Sequence, residues 1–483
     1  MNSKRYAVLV AFAAVLSLTS CSGVKKACTV NCGGGSGTAT LVLTMRATPL
    51  TPPASTNLLA FVTTLTGIAL NPGSGSAFGI ASTPTVDFVR LQSDSFFLAT
   101  SVSVPAGNYT SLTITFSAPT VTYCTQLAPG TPGCAANSVT TLTGGAVSVA
   151  QIPVTLSLAA NQKAALEIDL NTATAISVAN QVVTSANLGA ANAFTATLLP
   201  PAASSLATGQ VDFFDNILGV VSAVSPQQIT VATSENGAYF ATRTASTFYS
   251  PNCALTPGTA CPPAVGQLVS IDTAINPDGT FTLLSYDPLS SVAINWVEGV
   301  VTFAPTTATQ FQIIAGDQAT VQAVPSALPT GTIVNVTLNN PSPFVVDSKG
   351  ITTLPANSFV GSLTATSLVP GMTVAIDVKS FTPAAGSTPA AITADLVMLR
   401  DSVASGLIAS TAPPGTFAIQ SLPPFFGQVV NFNVQLQTLA PLTNFDGVTD
   451  ATGLVTGHTV ALSGLYFGPG TTTPFVATKV RAF

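Results

Sequence analysis

Residues Ser111-Leu112-Thr113-Ile114-Thr115-Phe116 alternate polar and apolar side chains without a break. Successive side chains of a β-strand point to opposite faces, so this pattern predicts a strand with one buried face and one polar face. The same alternation occurs in Thr40–Arg46 and in Ala165–Asn171, whose two carboxylates we expect to point outward. Hardly any stretch has the sustained period and caps of a helix, and the chain is therefore predicted to be all-β.

These alternating segments belong to the first folded region of the chain. We expect residues 39–200 to form one antiparallel β-sandwich, which ends at the proline-rich junction Leu199–Ser204. Within it, Val86–Leu91 is followed by Val104–Ile114, where Gly107-Asn108-Tyr109 precedes an alternating strand. Together with the acidic strand Leu166–Leu170, this pattern resembles a family of bacterial lipoprotein domains of unknown function. The resemblance implies an exported β-domain and no particular activity.

The remainder of the chain contains a two-part pattern three times. Each copy begins with a glycine before an apolar strand and has a later strand led by a second glycine. The pairs are Gly219 with Gly266, Gly299 with Gly371, and Gly406 with Gly457. Three copies of one pattern indicate a repeat architecture. The copies resemble small exported β-barrel modules of unknown function that are reminiscent of the OB-fold.

We therefore expect an N-terminal β-sandwich followed by about three OB-like or β-barrel modules, at residues 207–290, 291–401 and 402–483. Asn276–Gly279 has the proline and glycine placement of a hairpin turn inside the first module. The two glycines of the second module are farther apart than those of the others. This spacing predicts an insertion, or a degenerate fourth unit around Thr330 to Leu338.

The N-terminus has the pattern of a bacterial lipoprotein signal peptide. Lys4 and Arg5 precede an apolar run to Leu18, and Leu18-Thr19-Ser20-Cys21 places a small residue directly before a cysteine. The run is shorter than the roughly 20 residues of a spanning helix. We expect residues 1–20 to be removed, Cys21 to carry palmitate-type acyl chains, and residues 21–38 to form a flexible glycine-rich tether. Ser22, in place of an aspartate, favours the outer membrane.

Composition agrees with an exported protein of low charge. Only 6% of the residues are charged, against roughly 25% in an average soluble domain. Loss of Lys4 and Arg5 with the signal leaves 11 basic and 18 acidic residues, a net charge of −7. This balance disfavours nucleic acid and anionic membrane surfaces as partners.

Six further cysteines form three close pairs along the sequence. Two of these pairs bracket proline- and glycine-rich turns, where a disulfide would join the ends of a loop. The candidates are Cys28 with Cys32, Cys124 with Cys134, and Cys253 with Cys261. Zinc binding is the competing interpretation, but the single histidine lies far from every pair, and we predict no metal site.

Residues suited to catalysis are scarce. His458 follows the second glycine of the third copy, where the other copies have glutamine or methionine, so a strand-end role is favoured. No Gly-x-Ser-x-Gly motif occurs. Asp212 with Asp215, and Asp446 with Asp450, are the candidate carboxylate pairs, and the second lacks the dense acidic run and terminal glutamate of a calcium loop. The sequence predicts no enzyme, catalytic residue or cofactor.

Other conspicuous residues are expected to be structural. Asp272 and Asp377 occupy equivalent places in two copies, which suggests hydrogen bonds to turn amides. Trp296 and the pairs Phe96-Phe97, Phe213-Phe214 and Phe425-Phe426 are expected to pack between modules, with one ring of each pair on either face of a strand.

The sequence thus predicts a lipid-anchored, non-enzymatic cell-envelope protein. Its β-domains would act in binding or spacing, toward polysaccharide or envelope proteins, with the membrane as a partner through the N-terminal lipid. Two alternatives stay open: a hydrolase of envelope polymers that uses an aspartate pair, and a self-associating surface subunit built through unprotected edge strands.

Overall fold

The computed structural model describes residues 37–483 apart from short gaps. The gaps are residues 53, 82–83, 126–129, 136, 146–147, 200–212, 234–237, 256–258, 277–279, 320–327, 340–341, 350, 352–353, 355–358, 360, 362, 413–414, 428–431, 439–442 and 470–473. The described residues are mainly strands with one short α-helix, α1 (Thr172–Ala175), which confirms the all-β prediction. None of the helices in this part of the chain is long and apolar enough to cross a membrane.

The first region, residues 38–199, consists of two sheets and a small hairpin. In the first sheet the strand order is β13-β10-β1-β5, and in the second it is β8-β7-β2-β6-β9, with β3 and β4 also paired to β2. The strands are β1 (Thr38–Thr48), β2 (Asn57–Pro72), β3 (Phe78–Ile80), β4 (Thr85–Asp87), β5 (Phe96–Pro105), β6 (Gly107–Phe116), β7 (Thr120–Cys124), β8 (Thr140–Thr143), β9 (Ser148–Leu158), β10 (Lys163–Asn171), β11 (Ile176–Ala179), β12 (Val182–Ala186) and β13 (Phe194–Leu199). β11 and β12 form the hairpin.

A single apolar core lies between these two sheets. Phe116 stacks on Phe194 with ring centroids 5.3 Å apart, and Leu166 and Ile168 are fully buried on the same core. All three alternating segments of the sequence are strands, in β6, β1 and β10. One pairing departs from the expected antiparallel sandwich, because β1 runs parallel to β10. The chain between them forms the entire second sheet, so β10 returns to the first sheet in the direction of β1.

Residues 213–290 form a barrel of six strands. Strand β14 pairs with β15 and β18, β15 with β16, and β19 with β16, β17 and β18. If the short strand β17 is left out and the other five are numbered 1 to 5 along the chain, they close a ring in the order 1-2-3-5-4-1. Strands 3 and 5, which are β16 and β19, run parallel. The strands are β14 (Phe213–Val224), β15 (Gln228–Ala232), β16 (Ala238–Thr242), β17 (Phe248–Tyr249), β18 (Leu268–Ile275) and β19 (Phe281–Ser290).

The same set of pairings occurs twice more, in residues 296–400 and 401–482. Strand β25 is shared, since its first half closes one barrel and its second half opens the next. We number the barrels 1 to 3 in chain order. The strands are β20 (Trp296–Val301), β21 (Gln310–Ala319), β22 (Ile333–Leu338), β23 (Phe344–Val346), β24 (Thr373–Thr382), β25 (Ala390–Ala412), β26 (Thr416–Gln420), β27 (Phe432–Leu436), β28 (Asn444–Asp446), β29 (Thr459–Tyr466) and β30 (Phe475–Ala482).

The first and the second glycine of each copy are required for different structural reasons. At the first glycine of every copy the neighbouring strand passes so close that a Cβ atom would lie 2.3–2.6 Å from a backbone oxygen. The second glycine of every copy has a positive φ, between 87° and 91°, in the turn before the fourth barrel strand. Only glycine adopts that conformation without strain. The repeated pattern therefore marks two equivalent positions in each barrel, a close approach of neighbouring strands and a turn.

The longer second copy does not contain a fourth unit at Thr330 to Leu338. Those residues include β22, which is the third strand of barrel 2 and matches β16 and β27 in its pairings. The connection from β22 to β24 is longer than the equivalent connections in barrels 1 and 3.

Residues 34–483 form one compact unit, so the barrels pack on the first region and on each other. Val42 and Ala165, on the outer face of the first sheet, join the core of barrel 1. Leu59 and Cys124 of the second sheet join the core of barrels 2 and 3. This packing explains why Glu167, expected to point into solvent, is only 6% exposed and forms an ion pair with Arg46.

Candidate functional site

The centre of β25 carries two adjacent charged residues, at the point where the strand passes from barrel 2 to barrel 3. Arg400 is completely buried and contacts Glu298 of β20 at 2.8 Å, Asp347 after β23, and Ser270 of barrel 1. One guanidinium group therefore joins barrel 1 to barrel 2.

The ammonium group of Lys349 provides a second bridge between barrels. Its Nζ atom lies 3.2 Å from Asp272 of β18 and 3.3 Å from Asp401 of β25. Lys349 is 5% exposed and has a φ of 46°, a left-handed conformation that non-glycine residues rarely adopt. Such a backbone persists only where the surrounding contacts hold it.

Barrel 1 contributes further acidic groups beside this lysine. The hydroxyl of Ser285 on β19 donates a hydrogen bond to Asp272 at 2.5 Å, and its oxygen lies 3.2 Å from a carboxyl oxygen of Asp287. Ser250 donates to the other oxygen of Asp287. We define the junction cluster as the residues Asp272, Asp287, Glu298, Asp347, Lys349, Arg400 and Asp401.

Five carboxylates and two cations share the junction cluster, and burial shifts the pKa values accordingly. Burial lowers the pKa of Arg400, but Glu298 and Asp347 more than offset this and raise it above the ordinary value. Burial also raises the pKa of Asp347 despite the nearby cations. Burial and the charge of Asp347 raise the pKa of Asp287 to about 7. The cluster therefore holds a proton at mildly acidic pH.

A cavity of about 370 Å³ opens beside the junction cluster. Asp272, Lys349 and Ser285 are buried in its wall, and Phe248 and Asn444 line it with half-exposed side chains. The remaining lining residues are Ser246, Thr247, Leu284, Ile351, Gln437 and Thr478. We call this space the junction cavity. All three barrels contribute to it.

A second group of buried charges joins barrel 3 to the first region. Arg481 of β30 contacts Asp446 at 2.5 Å and donates hydrogen bonds to the backbone oxygens of Leu91 and Asp94. Burial opposes ionisation of Asp446, but Arg481 and Lys479 lower its pKa to about 2. Asp446 is therefore a structural anion, ionised at every physiological pH.

A smaller cavity of about 150 Å³ lies between the first region and barrels 2 and 3. Its polar lining groups are engaged in structural contacts. Arg90 contacts Asp317 at 3.0 Å, Asp87 accepts the backbone N–H of Phe61, and Asn57 accepts that of Phe425. The contacts of Arg90 and Asn57 hold the first region against the barrels, whereas that of Asp87 lies within the first region.

Two of the predicted cysteine pairs lie at disulfide distance. The Sγ atoms of Cys124 and Cys134 are 2.04 Å apart, and those of Cys253 and Cys261 are also at bonding distance. Each pair joins the two ends of a loop, as the spacing predicted. Cys21, and the pair Cys28 with Cys32, lie outside the described residues.

Three of the candidate catalytic residues, His458, Asp446 and Asp450, are described, and they lie in different surroundings. His458 is exposed in the turn before β29. Asp446 is paired with Arg481, whereas Asp450 is exposed and accepts hydrogen bonds from Thr452. Asp212 and the side chain of Asp215 lie outside the described residues. Among the described residues, no group of histidine, cysteine and acidic side chains has the arrangement of a metal site.

Two expectations about structural residues need correction. Asp272 does not cap a turn: it lies inside β18 and is bound to Lys349 and Ser285. Phe425 and Phe426 lie in a 3-10 helix, Pro424–Phe426, so their rings do not alternate across a strand, and both are buried. Asp272 thus belongs to a strand and not to the turn after it, and the two phenylalanines belong to a helix and not to a strand.

Other aromatic residues pack between units. Trp296 is fully buried in a cluster with Leu218 and Leu289 of barrel 1 and Met398 of barrel 2. Phe96 packs at the junction of the first region with barrel 1. The side chains of Phe97, Phe213 and Phe214 are outside the described part.

Sequence reasoning missed the junction cluster. A signal was present, because Arg400-Asp401 interrupts an apolar strand and Asp347 and Lys349 are close neighbours in a chain with few charges. Charged residues are almost never fully buried unless they are paired, so charges inside an apolar strand point to buried ion pairs.

These features define the chain as an all-β protein in which three similar barrels pack on a two-sheet region. No protein-family model matches the chain, and no curated protein matches it.

Proposed function

We propose that this protein is a lipid-anchored, non-enzymatic component of the bacterial cell envelope, held in the outer membrane by acyl chains on Cys21. Its folded part binds uncharged envelope polysaccharide. The lipoprotein pattern at Leu18–Cys21 and the two loop-closing cysteine pairs support an exported protein, because disulfides persist in oxidising compartments.

The observation that carries the binding proposal is the distribution of charge. Among the charged side chains whose burial is described, only Lys163, Lys379 and Asp450 are exposed. A typical soluble domain has about 25% charged residues. Here most of the charges form interior contacts, so the exterior offers hydroxyl, amide and small apolar groups, which suit contact with neutral sugar hydroxyls.

The state of the carboxylates supports a non-enzymatic role. A glycoside hydrolase needs two carboxyl groups that flank an open substrate site. Asp446 is fixed by Arg481, and Asp272 and Asp401 are bridged by Lys349. These groups stabilise the packing between barrels.

The test is retention of the full chain on immobilised, protein-free envelope polysaccharide. We expect the Cys21→Ser chain, which lacks the lipid, to be retained on the neutral polymer and eluted by the same polymer in solution. Failure to bind would contradict the binding role. Release of soluble sugar from the polymer would instead support the hydrolase alternative. A molar mass that rises with protein concentration in light scattering would support the self-associating alternative.

A further inference from the structure

The junction cavity has the size and the construction of a small-molecule site. Its volume of about 370 Å³ lies within the range of about 300–1,000 Å³ that is typical of ligand pockets. Because its lining comes from barrels 1, 2 and 3, its shape depends on the packed arrangement of all three. We propose that this cavity binds one uncharged sugar residue of an envelope glycan, an inference that rests on the proposed function.

The inner wall of the junction cavity is polar and held in place. Asp272 is fixed by Ser285 at 2.5 Å and by Lys349 at 3.2 Å, and Thr247 donates a hydrogen bond to the backbone oxygen of Leu283. Asp272, Ser285, Lys349 and Thr247 are all buried. A wall of this kind presents acceptors and donors without reorganising, which reduces the entropic cost of binding.

The half-exposed part of the lining differs from the inner wall. Phe248 of β17 offers an aromatic ring, and Asn444 of β28 offers an amide with two donors and one acceptor. A sugar ring has C–H groups on its faces and hydroxyls around its edge. The ring of Phe248 suits the faces, and the amide of Asn444 suits the edge.

The charge of the junction cluster selects against anionic ligands. Even with Asp287 protonated, the carboxylates of Asp272, Glu298, Asp347 and Asp401 outnumber the cations Lys349 and Arg400, and most of the cluster is buried, where charge interactions are strong. A phosphate or uronate group placed in the cavity would be repelled. A neutral hydroxyl instead donates to a carboxylate such as Asp272 without adding charge.

The test is calorimetric titration of the Cys21→Ser chain with neutral N-acetylglucosamine and mannose oligomers and with a uronic acid oligomer. We expect saturable binding of a neutral oligomer and no binding of the acidic one. Phe248→Ala and Asn444→Ala should each raise Kd by about tenfold. Phe240→Ala is the matched control, because Phe240 is 55% exposed on β16 of the same barrel and does not line the cavity; its Kd should equal that of the unaltered chain.

The outcomes separate this inference from the proposed function. Neutral binding that is unchanged in both Phe248→Ala and Asn444→Ala would overturn the cavity site and leave glycan binding in place. No binding of neutral sugars or of whole envelope polysaccharide would contradict both. Equal affinity for the acidic oligomer would also overturn the inference. The unfolding midpoint of each variant checks its fold, and Asn444→Ala decides the matter if Phe248→Ala does not fold.

Discussion

Arg400 and Asp401 are neighbours in sequence, yet each stabilises a different contact between barrels. Arg400 has no exposed surface and donates a hydrogen bond to Ser270 of barrel 1 at 3.0 Å, whereas Asp401 contacts Lys349 at 3.3 Å. A buried ion pair gives little net stability over an apolar pair of the same shape, but loss of one partner leaves an uncompensated buried charge. The junction cluster therefore fixes which surfaces of the barrels meet.

We predict that Arg400→Met lowers the free energy of unfolding by about 3–5 kcal/mol, because Glu298 and Asp347 lose their buried counter-ion. Urea denaturation measures the change. Lys379→Met is the control, since Lys379 is half exposed and pairs with Asp395 at 3.5 Å on the surface; its effect should stay within about 1 kcal/mol. Similar effects of the two substitutions would show that the buried network has no special role.

Asp287 should make stability fall as the pH rises. Its pKa in the folded chain is about 7, above the ordinary value of 3.8, so the folded state binds a proton that the unfolded state has lost. The stabilisation is complete below about pH 4 and disappears as the pH rises through 7. Between those values the free energy of unfolding should fall by up to about 1.4 kcal/mol per pH unit from this group.

Denaturation at pH 5, 6 and 7 measures this slope. Asp287→Asn should remove the part of the slope that belongs to the group. Asp450→Asn should leave the slope unchanged, because Asp450 is exposed and a hydrogen bond from Thr452 holds its pKa below the usual value, outside this pH window. An identical slope in the Asp287→Asn chain and the unaltered chain would refute the assignment.

At the scale of the elements, each barrel depends on one close approach between its first two strands. A Cβ atom on Gly299 of β20 would lie 2.3 Å from the backbone oxygen of Ile314 on β21. We predict that Gly299→Ala lowers the free energy of unfolding by about 1–3 kcal/mol, since the strands must move apart. Thermal or urea unfolding measures the loss. Gly79→Ala, where a Cβ meets no atom within 4 Å, should have little effect, and a comparable loss there would contradict this explanation.

Strand positions could be predicted from the sequence because alternation is a local property. Ser111–Phe116, Thr40–Arg46 and Ala165–Asn171 are all strands, and the repeated glycines occupy equivalent positions in the three barrels. The 3-10 helix at Phe425 could not be predicted, because two apolar residues beside prolines occur both in short helices and at the ends of strands. The parallel pairing of β1 with β10 arises because the chain forms the whole second sheet before it returns to pair with β1. No local sequence pattern indicates such a long-range return.

The candidate site could not be predicted for a related reason. Asp272, Lys349 and Asp401 lie far apart in sequence and meet only because three barrels pack together. Composition showed that charges are rare, but it did not show that they are inside. The cysteine pairs were predictable because both partners of each pair belong to one loop.

At the scale of the whole molecule, we propose that a lipid on Cys21 anchors a folded part with few exposed charges. Val42 and Ala165 connect the first region to barrel 1, and Arg481 connects it to barrel 3. Such a body would be held at a membrane by a tether and would present hydroxyl and amide groups to neutral polymers. This arrangement requires that Cys21 carries the lipid anchor.

The most direct test is the mass of the N-terminal peptide of the full chain recovered from the membranes of a bacterial host. We predict a peptide that begins at Cys21 and carries acyl chains, and we predict that Cys21→Ser moves the protein from the membrane fraction to the soluble fraction. An unacylated N-terminus, or a Cys21→Ser chain that stays with the membranes, would contradict the account.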